Sequence, residues 1–171
     1  SQFKMYEISK TDEEKIKWLQ LSAGNGNEKA YHFLAFYYCA HDKDYKNAIK
    51  YYKKAIDVNE IYTYTKTNLA LMYIQYIEVR DLQEAEKLLE EVKEEQANFW
   101  FINHCYGVLY YIKENYEKSK EFFEKTCQES DLKRYYRGYE KDILRGIDLM
   151  KDNRKWSQSI KFFKDVGELD I

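Results

Sequence analysis

Four times along this chain a small side chain stands at a fixed place among bulky ones. The sets are Tyr45, Ala48, Tyr52, Ala55; Leu82, Ala85, Leu89, Val92; Tyr116, Ser119, Phe123, Thr126; and Trp156, Ser159, Phe163, Val166. Within each set the steps are three, four and three residues, which is one face of an α-helix. Where two helices cross, a side chain no larger than Ala or Ser lets their axes approach closely. The bulky residue one turn later fills the seam. A partner stripe precedes the first three sets: Leu34-Ala35 then Tyr38, Leu69-Ala70 then Tyr73, and Tyr106-Gly107 then Tyr110. Before the fourth it is degenerate, with Gly146-Ile147 then Met150. The unit is therefore a hairpin of two amphipathic helices, recurring about every 34–40 residues. One hairpin cannot cover its own apolar faces, so neighbouring hairpins must stack.

Composition agrees with helices. Proline is absent and glycine numbers six, whereas tight-turn β folds lean on both. The 171 residues suffice for one domain with a core, and the expected domain is the whole chain, residues 1–171. Apolar residues are 44% and aromatic residues 18%, which excludes a disordered chain. A net charge of −2 leaves no global field toward nucleic acid or an anionic membrane. No apolar run reaches the roughly 18 residues of a membrane helix, and no signal peptide opens the chain. The three cysteines, Cys39, Cys105 and Cys127, have no metal-type or CxxC spacing. They suggest thiols in a reducing compartment, and the expected localisation is cytoplasmic.

The Leu-Ala-x-x-Tyr and Tyr-x-x-Ala-x-x-x-Tyr-x-x-Ala patterns resemble tetratricopeptide repeats and their relatives, the Sel-like repeats. The stretch Trp18 to Ala23, followed by Gly24-Asn25-Gly26-Asn27-Glu28-Lys29-Ala30, resembles a Sel-like junction between a back helix and the next front helix. Residues 116–126 match the tetratricopeptide spacing without insertion, while repeat one carries one extra loop residue and repeat two carries three. The proline that tetratricopeptide repeats often place after the back helix is missing. The resemblance implies an all-α fold: an α-solenoid of stacked antiparallel helix hairpins in a right-handed superhelix. Its parts would be an N-terminal helix at 11–24 and repeats at 27–59, 62–96, 98–129 and 131–169.

Helix-start signals fall where that division needs them. Thr11 with Glu14 forms a capping box, and Asp81 with Glu84 repeats the logic. Asp44, Asn115 and Asp131 are further N-caps. Gly24-Asn25-Gly26 reads as a helix C-cap and turn, since it has neither the strand nor the Lys of a phosphate loop. The helix at 11–24 reads as a back helix lacking its front partner. Either the chain is trimmed upstream, as its leading Ser suggests, or residues 1–10, with Phe3, Met5, Tyr6 and Ile8, cover it.

Catalytic and metal chemistry find no support in the sequence. His32 and Cys39 share one helix face and His104 adjoins Cys105, but nothing converges on them as a base, an orienting group or a third ligand. No enzyme, cofactor, metal or small-molecule substrate is expected. The acids from Glu84 to Glu95 read as an exposed helix face. Arg134, Arg137, Lys141 and Arg145 form a basic stripe interleaved with tyrosines. Such a stripe suits RNA or DNA, but Asp142, Asp148 and Asp152 dilute it, so nucleic acid ranks only third.

In the families it resembles, front helices line the concave surface. Carried over, that surface takes Lys29, His32 and Phe36 from repeat one and Tyr64, Thr67, Leu71 and Gln75 from repeat two. Phe101, His104, Val108 and Tyr111 come from repeat three, and Lys141 from repeat four. The resemblance thus implies a scaffold or adaptor that binds a protein or peptide, with no membrane role. Phe101 and Tyr111 would be its anchors. A peptide-sensing regulator or toxin-neutralising antitoxin is the alternative. A chaperone-tail clamp, which uses Lys and Asn pairs and then a Lys and an Arg, is argued against. Its first pair would fall on His32 and Phe36 and its later pair on Phe101 and Cys105, with only Asn68 matching. A shift by one repeat recovers Lys141 and Arg145 but puts Thr67 and Leu71 in the first pair.

Overall fold

The structure, a computed structural model, describes residues 2–8, 11–59, 63–95 and 101–128. Over these residues the chain is all-α. Its helices are α1 (Gln2–Ile8), α2 (Asp12–Gly24), α3 (Glu28–Tyr37), α4 (Tyr45–Val58), α5 (Thr63–Gln75), α6 (Leu82–Glu95), α7 (Phe101–Ile112) and α8 (Tyr116–Gln128). The expected fourth repeat at 131–169, with Lys141 and the Arg134–Arg145 stripe, lies outside the described residues.

The helix starts follow from short polar side chains. Thr11 Oγ1 accepts from the Glu14 amide at 3.2 Å, Asp44 Oδ1 from Asn47 at 3.1 Å, and Asp81 Oδ1 from Glu84 at 3.0 Å. Asn115 Oδ1 accepts from Lys118 at 3.2 Å. Each bond satisfies an amide that has no partner inside the helix. Asn27, which the sequence reading did not single out as a cap, does the same for Ala30 at 3.0 Å.

Three helix ends share a device. The amide of the cap residue itself bonds back into the preceding helix: Asn27 to Ser22, Asp44 to Tyr38, Asn115 to Tyr110. The residue before each cap is left-handed, at φ 76° for Gly26, 51° for Lys43 and 59° for Glu114. The turn thus closes one helix and caps the next with no residue between. Two of the three use side chains that strain this conformation.

Two of the helix ends carry further short turns. A π-helical turn, Tyr38–Asp42, follows α3, and the Asp44 amide reaches back to the Tyr38 carbonyl at 2.9 Å. Repeat two ends α5 with a 3₁₀ turn, Ile77–Val79. There the Arg80 guanidinium donates to the carbonyls of Ile74 and Gln75, which α5 itself leaves unpaired.

The chain divides into two compact units, Ser1–Leu69 and Ala70–Ile171. In the first, α1 packs on α2, α2 on α3, and α3 on α4. Its core joins Leu19, Ala23, Ala30 and Leu34, with Phe3, Ile16, Tyr31, Phe33, Tyr38 and Tyr51 against it. Phe3 of α1 meets Phe33 of α3 at 5.8 Å between ring centroids, and Asn25, just past α2, donates to Gln2 at 2.6 Å. In the second unit α6 packs on α7, and α7 on α8.

The repeated stripes are interior. Tyr45, Ala48, Tyr52 and Ala55 are buried on α4, Ala85, Leu89 and Val92 on α6, and Ser119, Phe123 and Thr126 on α8. Full burial of Tyr52, Leu89 or Phe123 stabilises by roughly 1.5–3 kcal/mol each. The α7–α8 crossing shows why the small residue is needed. Ser119 Oγ donates to the Gly107 carbonyl at 2.8 Å, so the two backbones nearly touch. The Phe123 ring then lies against Gly107, and a Cβ there would meet it at 2.6 Å. Phe123, not Phe122, is the seam residue of this repeat.

Candidate functional site

The twelve sequence-derived site residues separate by burial. Lys29, Phe36 and Tyr64 are exposed, and Leu71, Gln75 and Phe101 are half-buried. His32, Thr67, His104, Val108 and Tyr111 are buried, and Lys141 lies outside the described residues. Tyr111 is 6% exposed, and burial pushes its hydroxyl up to about 12. Phe101 stacks on His104 at 5.5 Å and 6° between planes, and His104 meets Phe123 edge-on at 5.8 Å. Tyr111 is thus buried, and Phe101 is half-buried against His104.

His32 has a structural partner. Its Nδ1 lies 3.0 Å from Thr65 Oγ1, which ties α3 to α5, and its ring meets Phe33 and Tyr52 edge-on at 5.5 Å each. Burial lowers its pKa from 6.5 to about 4, so at neutral pH the ring is uncharged. The start of α5 is unusually polar for an interior. Thr63, Thr65, Lys66 and Thr67 are all buried, Lys66 to 2% exposure. Thr67 Oγ1 donates to the Thr63 carbonyl at 2.9 Å. Position 66 lies one turn before Leu69 and Ala70 on the same helix face, where a charged side chain is unexpected.

The exposed members frame a surface in the first unit. Phe36 is 54% exposed and Tyr64 46%, although most large aromatics nearby are buried or half-buried. Phe36 stands at the lip of a cleft of about 130 Å³ between α2, α3 and the π-helical turn. Ile16, Leu19 and Phe33 supply apolar lining, and Tyr37 and His41 stack on each other at 4.7 Å to form one wall. Asp12 and Lys15, 3.2 Å apart, bring an ion pair to the lining. A comparable apolar cavity of roughly 150 Å³ in another protein takes up a benzene ring, so this cleft has room for one apolar side chain. Phe33 and Tyr37 are half-buried, and His41 is exposed. The extra residue of repeat one was the available signal, since the π-helical turn it produces carries His41 against Tyr37.

The second unit presents a different face. Tyr106, Phe122 and Tyr110 stack, with Tyr106–Phe122 at 5.0 Å and Tyr110–Phe122 at 5.5 Å. Lys118 covers Tyr110 and Lys125 covers Phe122, each at 4.9 Å, and Lys93 lies 6.0 Å above Tyr106. Glu90 accepts from the Tyr106 hydroxyl, and that bond holds its carboxyl below the usual range. Glu86 pairs with Lys113 at 2.6 Å. The acids of α6 are thus not a uniformly idle face: two of them clasp α7.

Among the described residues no group of three metal-ligating side chains exists, and neither Cys39 nor Cys105 is in a disulfide. Among the same residues no helix is long and apolar enough to cross a membrane. Comparison with protein-family models and with curated proteins finds no match to the chain.

Proposed function

We propose that this chain is a non-catalytic protein-interaction module of the tetratricopeptide and Sel-like kind, an α-solenoid that docks a peptide or partner protein through its front helices. The observation that carries this reading is the exposed Phe36 ring at the lip of an apolar cleft. An aromatic ring left in water beside an unfilled apolar cleft stabilises a complex when a partner side chain covers both. Burying one large apolar side chain there contributes roughly 1.5–3 kcal/mol, the scale of a binding hot spot. Tyr64 adds a second exposed aromatic, from the helix that His32 and Thr65 tie to α3. Lys29 supplies polar rim on α3.

The test is affinity capture with the full chain, read by mass spectrometry, comparing wild type with Phe36→Ala and Tyr64→Ala. A protein retained by wild type and lost by Phe36→Ala supports the module. Recovery of RNA in place of protein, or capture indifferent to both substitutions, overturns it.

A further inference from the structure

We draw no further inference here: the strongest candidate, the surface patch on α6–α8 where Tyr106, Phe122 and Tyr110 stack beneath Lys93, Lys118 and Lys125, has Lys93 and Lys125 matched by Glu90 and Glu121, and nothing in the structure shows what covers it.

Discussion

Replacing Gly107 by Ala puts one methyl group into the α7–α8 crossing. Two effects oppose each other. Within a helix, Ala is favoured over Gly by roughly 0.5–1 kcal/mol. Against this, the new Cβ would lie 2.6, 2.7 and 2.9 Å from Phe123 Cε1, Cδ1 and Cζ, where carbon atoms settle at about 3.5–4.0 Å. Phe123 is 1% exposed and backed by His104, so its ring has little room to retreat. The helices cannot simply part, because the Ser119–Gly107 hydrogen bond would stretch. Overpacking of this kind costs about 1–3 kcal/mol, so Gly107→Ala is expected to destabilise by roughly 0.5–2 kcal/mol net. That is about 1–8 °C in melting temperature for a chain of this size. Thermal and urea unfolding followed by circular dichroism measure it. Gly24→Ala is the control: nothing lies within 4 Å of its added Cβ, so the same swap is expected to be neutral or mildly stabilising. Combining Gly107→Ala with Phe123→Leu is expected to cost less than the two single changes added together, since the smaller side chain relieves the clash. A Gly107→Ala protein more stable than wild type, or strict additivity in the double variant, would refute the close approach at this crossing.

Ala48, fully buried on α4, occupies in the first set the place that Ser119 holds in the third, and Ala48→Leu is expected to cost about 1–3 kcal/mol in the same unfolding assay. The His32 imidazole binds a proton below 6.5 when unfolded but only below about 4 when folded. Its contribution is therefore kept above pH 6.5 and lost as pH falls toward 4, a difference of about 3 kcal/mol; His32→Gln is expected to flatten that part of the stability–pH curve relative to wild type. Glu114 holds a left-handed φ of 59° at the α7–α8 turn, so Glu114→Gly is expected to stabilise by roughly 0.5–1 kcal/mol, against a loss at an ordinary exposed helix position.

The hairpin elements were legible because their signals are local and repeated. Small residues at Ala48, Ala85 and Ser119, with caps at Thr11, Asp44, Asp81 and Asn115, place α2, α4, α6 and α8 within a residue or two of where they lie. The binding surface was less legible, because periodicity names a face without saying how much of it a neighbour covers. Phe36 and Val108 hold corresponding places in that pattern, yet the first is exposed and the second buried. Lys66 shows the same limit from the other side, since a long charged side chain reads as surface until tertiary packing encloses it. The cleft beside Phe36 depends on a π-helical turn, whose trace in the sequence was one extra residue of repeat one.

Docking through the Phe36 surface is tested most directly by the dissociation constant of the captured partner for wild type and for Phe36→Ala, measured by isothermal titration calorimetry. Because the ring is 54% exposed, its loss is expected to shift stability by no more than about 0.5 kcal/mol, while binding weakens at least tenfold, about 1.4 kcal/mol. Glu94→Ala, an exposed change on α6, is expected to leave the constant unchanged. A Phe36→Ala protein that is fully folded and binds as tightly as wild type would contradict the assignment of this surface.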